Sequence, residues 1–276
     1  MRSKIGLIVA AFILVTLWSG LSASASGYGK GVSAVVKHIT KSVPPPKTAN
    51  KDAIAAEIDI SFPEFSFSTG QNPAVLAINK AIQSRLLTLL DDKTPTTVEQ
   101  LTETFIKGYE RSLKEEPDMP GAWSLKFEAS IRQADEDLLS IEILDSVFTG
   151  GAHPTSNIAY LVLSMKTGKP LDLSSLVPAE RMNELTNVAE IHFRRIRKLK
   201  PDETYEQAGF QFEKNRFALN RNFLVSKAGL AFCFNQYEIA PYSMGVTELV
   251  IPWTDIKTVV NPNGPAGRFL SSGGKL

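Results

Sequence analysis

One cysteine, Cys233, and three histidines, His38, His153 and His192, are all that this 276-residue chain offers of the commonest metal ligands and thiol nucleophiles. A single cysteine excludes an intramolecular disulfide, and the histidines lack the spacing of a metal site. Cys233 lies in the alternating run Leu230-Ala231-Phe232-Cys233-Phe234, so we read it as a small buried hydrophobe, not a reactive thiol. Formal net charge is only +1, which gives no electrostatic footprint for nucleic acid or an acidic membrane surface. There is no Gly-x-Ser-x-Gly nucleophile elbow and no phosphate-cradling Gly-x4-Gly-Lys-Ser/Thr loop. No cofactor, metal or catalytic constellation is expected, and the reading is of a protein that is not an enzyme.

A comfortable membrane span needs about twenty apolar residues. The nearly unbroken run Ile5 to Leu17 has thirteen. Arg2 and Lys4 precede it and Ala23-Ser24-Ala25 follows, so residues 1–25 read as a cleaved signal peptide with cleavage near Ala25. A retained anchor is the alternative. Cleavage removes two positive charges and leaves the mature chain near −1. The expected location is periplasmic or secreted.

The remainder divides into four expected parts. Residues 26–50, with Pro44-Pro45-Pro46, read as a proline-rich linker or arm, with Val32, Val35, Val36 and Ile39 making at most one amphipathic turn. Residues 51–146 read as an α+β domain. Ile58, Ile60 and Phe62 alternate as a strand that Pro63 should kink or place at an edge. Asn72-Pro73 opens a helix with Val75, Leu76, Ile78, Ile82, Leu86, Leu89 and Leu90 on its apolar face. Thr97 with Gln100 caps a second helix to about Glu115, ended by Pro117 and Pro120-Gly121. Trp123 to Ile131 and Leu139 to Val147 form an antiparallel hairpin around a solvated tip, Gln133 to Asp137.

Residues 147–260 read as a second α+β domain. It has a strand at Ile158 to Met165, a helix from Pro178 to about Lys200, and short strands at 217–219, 223–225, 230–232 and 246–251. A short helix at Trp253 to Val260 closes it. The basic end of the long helix, Arg194 to Lys200, is read as a solvated face suited to the helix dipole. Residues 261–276, rich in Gly, Pro and Ser, read as a flexible tail.

The most unusual backbone chemistry is at Val147-Phe148-Thr149-Gly150-Gly151-Ala152-His153-Pro154. Gly150 and Gly151 permit positive φ, and His153 before Pro154 is pushed extended. His153 is open to two readings: a general base in a glycine-lined cleft, or an imidazole that ties off loop carbonyls. The second is preferred.

That stretch, with Thr167-Gly168-Lys169 and Leu171 to Leu176, resembles the core motif of a bacterial extracytoplasmic domain family of unknown function. The family is shared by the outer part of the anti-sigma factor RsiV and the non-catalytic portion of the peptidoglycan deacetylase PdaC. Phe232 to Gly245, which contains Tyr237, Glu238, Pro241 and Tyr242, is similar to the family's second motif, and Ile251-Pro252-Trp253 to its closing segment. Ala55 to Ser146 resembles the companion domain that precedes it. The resemblance implies an α+β fold of antiparallel sheets with helices packed on one face, outside the cytoplasm. In the anti-sigma factor the outer domain binds lysozyme. Here only four residues precede the apolar run, so no sigma-binding segment is expected, and the deacetylase's metal-binding motifs are absent.

The expectation is therefore an exported binding module of the envelope that recognises a protein such as lysozyme or a cell-wall glycan. His153, Tyr237, Glu238 and Tyr242 are its candidate binding residues. Gly150, Gly151, Pro154, Gly168, Pro241 and Gly245 shape the motifs. The alternatives are an envelope hydrolase using His153 with Glu238 and Tyr242, and a structural envelope protein.

Overall fold

The computed structural model describes residues 28, 31–47, 49–90, 95–116 and 122–271. The signal segment and its cleavage site lie outside the described residues, as do Pro117 and Pro120-Gly121.

Five strands form the first sheet in sequence order: β1 (Val32–Val43), β2 (Ala56–Phe67), β3 (Ser124–Ala134), β4 (Leu138–Phe148) and β5 (Thr155–Ser164). Every neighbouring pair is antiparallel except β2 with β3, which run parallel over Glu57–Ser61 and Ser124–Glu128. A parallel pair requires a crossover. Here it is made by α1 (Pro73–Leu87) and α2 (Val98–Glu115). Asn72 Oδ1 accepts from the Ala74 and Val75 amides, and Thr97 Oγ1 from the Gln100 amide, so both helices start where their caps dictate. Val75, Ile78, Ile82, Leu86, Leu101, Phe105 and Tyr109 then pack on Ile58, Ile60, Leu125, Phe127, Ile141 and Ile143. Each such side chain contributes roughly 1.5–3 kcal/mol as it leaves water. Leu76 is not among them; it is 51% exposed.

Three expectations for this half are corrected. Val32 to Val43 is no arm: it pairs with β2 over twelve residues. Val32, Val35, Val36 and Ile39 mimic helical spacing, but β-branched side chains favour the pleated strand once a partner is present. The division after Ser146 falls inside β4, and the sheet continues to Ser164. Pro63 neither kinks β2 nor lies on an edge strand. The Glu57 amide bonds the Trp123 carbonyl, so by alternation Pro63 faces the β3 side, two residues past the last β3 pair at Ser61. Its missing N–H is therefore not needed. Further along the same side, Asn79 of α1 replaces the absent strand: its Oδ1 accepts from the Phe65 amide and its Nδ2 donates to the Phe65 carbonyl, both at 2.8 Å.

The second layer is a three-stranded antiparallel sheet, β6 (Phe223–Val225), β7 (Gly229–Phe234) and β8 (Thr247–Pro252), covered by α3 (Met182–Ile196). Leu185, Ala189 and Phe193 of α3 meet Phe210, Phe217, Phe232, Phe234 and Ile251 in its core. Residues 217–219 are not a strand, and α3 ends at Ile196. Trp253 to Val260 is a succession of turns instead of a helix; five of its eight residues are β-branched. The tail is docked up to Ser271: Phe269 stacks on Trp253 at 5.4 Å, Ala266 is buried, and Arg268 pairs with Asp135 at the β3–β4 tip. That tip is thus not simply solvated. Nor is the whole basic cluster. Arg194 donates to the Lys200 and Glu203 carbonyls and lies over Tyr205, while Arg197 donates to the Met244 carbonyl and lies over Phe210.

Among the described residues no helix is long and apolar enough to cross a membrane.

Candidate functional site

Strand alternation places one set of side chains on the sheet face away from α1 and α2. Cross-strand register sets Asp59, Lys126, Ser146 and Ser156 in one rank, and Ser61, Glu128, Leu144 and Ile158 in the next. Together these ranks floor a groove of about 420 Å³, walled by Gln236 and Val246. A second depression of about 240 Å³, bounded by Phe148, His153 and Pro154, shares Lys126 and Ser146 with it. Leu144 is 41% exposed on this floor. The serines tie to each other, with Ser156 Oγ donating to Ser146 Oγ at 2.9 Å.

The two sequence motifs meet at His153, which bounds the second depression. Gly150 and Gly151, at φ 99° and 104°, turn the chain from β4 into β5 in a conformation open chiefly to glycine. They deliver the exposed His153, whose Nδ1 lies 3.0 Å from the Pro154 carbonyl; the tautomer protonated there makes that bond. Pro241 leads into a short turn, Tyr242 to Met244, closed by Gly245. The His153 ring stacks on Tyr242 at 4.3 Å and 20° between planes, and Tyr242 lies 5.7 Å from Tyr237 at 37°. Three rings thus form a rail.

Other expected residues take different places. Glu238 is absorbed by its own loop: its carboxylate accepts from the Asn235 amide at 2.9 Å and from Asn220 Nδ2 at 2.7 Å. Gly168 is away from the rail, under α1, where a Cβ would lie 2.3 Å from the Ala74 carbonyl oxygen. His192 bonds Asp255 through Nε2 at 2.9 Å, holding α3 to the turns after β8.

Two asparagines not among the expected site residues join the sheets: Asn222, outside both motifs, and Asn235, inside the second. The Ile158 amide donates to Asn235 Oδ1 and the Tyr160 amide to Asn222 Oδ1, while both asparagine amides donate to the Ile158 carbonyl. They act as a surrogate strand along the free edge of β5. Asn222 immediately precedes β6 and Asn235 follows β7, and nothing local in the sequence assigns either side chain to the edge of β5. The floor residues were hidden for a similar reason, since polar alternate positions look the same whether they face bulk water or a groove.

Two titratable groups lie near this joint, one buried and one half-buried. Burial first, then Glu248, pushes the Cys233 thiol up to about 12. Tyr160 is also raised, by burial and then by Glu248. Both are therefore held neutral at ordinary pH. Among the described residues no group of three His, Cys, Asp or Glu side chains could hold a metal ion.

Residues 174–254 match the family model described as "Protein of unknown function (DUF3298)", and residues 49–156 match the model "Deacetylase PdaC". Among solved structures, a DUF3298 family member from Bacteroides fragilis superposes with a TM-score of 0.69 at 21% identity, covering 88% of this chain and 98% of its own. A DUF3298 family protein from Pseudomonas aeruginosa gives 0.61 at 19% identity, covering 83% and 94%. No curated protein matches. The fold is the α+β arrangement of antiparallel sheets found in those structures. Residues 174–254 thus carry the DUF3298 match and residues 49–156 the PdaC-like one, and these two segments support the DUF3298/PdaC-like family.

Proposed function

We propose that this protein is an exported, non-enzymatic binding module of the bacterial envelope, and that the groove bordered by His153, Tyr242 and Tyr237 is its recognition surface. The observation that carries this reading is the stack of His153 on Tyr242 at 4.3 Å, where loops from two separate motifs converge beside the second depression. His153 and Tyr237 are exposed and Tyr242 half-buried, so the two outer rings gain little from burial on folding, and their place beside a groove is accounted for by contact with something else. The floor supports this: carboxylates, a lysine, hydroxyls and an exposed leucine together suit a ligand with both polar and apolar faces. The name of the matched model is that of a deacetylase. A hydrolytic role for His153 has no such support here, because the Glu238 carboxylate is engaged by Asn235 and Asn220.

The test is calorimetric titration of the protein with lysozyme and with soluble peptidoglycan fragments. Binding of one of them, weakened by Lys126→Ala and by Tyr242→Ala, is expected. Binding of neither, or binding that both variants leave unchanged, overturns the reading.

A further inference from the structure

Tyr237 occupies a backbone position that its side chain does not suit. Its φ is 65°, a region that costs a bulky residue energy and is normally given to glycine or asparagine. The conformation is imposed by the turn. The Glu238 amide bonds the Asn235 carbonyl, the Tyr237 amide bonds the Ala240 carbonyl, and Glu238 returns its carboxylate to the Asn235 amide. The ring so placed is 65% exposed and repays little by burial. Strain held at an exposed aromatic residue is a signature of a contact made outside the fold. The ring also continues the rail of Tyr242 and His153.

Resting on the groove as recognition surface, we infer that its ligand is a saccharide chain, and that Tyr237 is the platform on which one sugar ring stacks. The C–H groups on one face of a pyranose are weakly positive and apolar, which complements the negative face of an aromatic ring. Sugar hydroxyls both donate and accept. The floor offers acceptors at Asp59 and Glu128, a donor at Lys126, and groups of both kinds at Ser61 and Ser146. An extended peptide is matched less well, because the floor is a sheet face whose backbone groups are already bonded in the ladders. The mixture of Asp59, Glu128 and Lys126 also favours a polyhydroxylated ligand over one of high charge.

Two substitutions separate a ligand contact from a structural role. Tyr237→Gly and Tyr237→Asn both accept φ 65° and remove the ring. Each should melt no lower than the wild type while affinity for tetra-N-acetylchitotetraose and for soluble peptidoglycan glycan strands falls by roughly tenfold or more. Tyr237→Phe should keep its affinity to within about threefold, since the ring face is retained. Lysozyme is titrated in parallel. Binding of lysozyme with no binding of either saccharide overturns this inference and leaves the groove as a protein-recognition surface. Saccharide binding that survives in both ring-less variants, or destabilisation of both, also overturns it. If neither lysozyme nor a saccharide binds, the binding-module reading fails together with it.

Discussion

The His153 ring is exposed, and its contacts are one stack on Tyr242 and one bond to the Pro154 carbonyl. His153→Ala should therefore cost about 1 kcal/mol in urea denaturation, well below the loss expected if the imidazole were a buried tie. Gly168 is the opposite case. Its φ is +70°, and an added Cβ would meet the Ala74 carbonyl oxygen at 2.3 Å and Ala77 Cβ at 2.6 Å. Gly168→Ala should lose about 3 kcal/mol or more, because both the backbone and the close approach to α1 forbid a side chain. Alkaline stability is governed partly by Cys233, whose thiol rises from 9.0 to about 12 on folding through burial and then Glu248. An acid with a raised folded pKa stabilises the fold fully below its unfolded pKa. That contribution is lost as pH climbs from 9 toward 12. Tyr205, pushed up to about 12 by burial and by its bond to Glu190, acts in the same sense above pH 10. Denaturation measured across this window should show stability falling with pH, and Cys233→Ala should flatten the first part of the fall.

At the scale of elements, the joints are polar groups placed where hydrophobic patterning says nothing. Asp145 has a side chain only 4% exposed, held by Arg85 at 2.8 Å and by Asn157 at 3.0 Å, and it locks α1 onto β4. Arg85→Met would leave a buried carboxylate unpaired and should cost about 3 kcal/mol in chemical denaturation. Asn235→Ala should expose the Ile158 amide, detected as faster hydrogen exchange there than at Ile143 in the interior of the sheet. The Asn72 and Thr97 caps, the alternation of β2 to β5 and the two motifs were legible because each is a local pattern. β1 was not, because its valines and Ile39 fit helical and strand spacing equally, and only its pairing with β2 decides between them. Asp145 did leave a trace: it occupies the inward parity of Ile141, Ile143 and Val147, where a charge must find a partner. The partner itself, sixty residues earlier on a helix, could not be read from the chain. The same holds for the groove floor, since the identity of each polar side chain is local and the openness of the sheet face is not.

For the whole molecule, the C-terminal segment clasps the two layers. Phe269 covers Trp253, whose Nε1 donates to the Ser226 carbonyl, and Arg268 reaches Asp135 on the first sheet. Ending the chain after Val260 should therefore lower the melting temperature, with a loss of about 2–3 kcal/mol from Phe269 alone; a dispensable tail would leave it unchanged. The groove has a corresponding global requirement. Its floor comes from β2 to β5 and its wall from the segment between β7 and β8, so it exists only when both sheets are docked through Asn222 and Asn235. Chemical-shift mapping of backbone amides during titration with soluble peptidoglycan fragments, and separately with lysozyme, tests the recognition surface most directly. The expected result is a contiguous set of perturbed residues that includes Lys126, Ser146, His153, Tyr237 and Tyr242. Perturbation confined to another face, or none with either ligand, would contradict it.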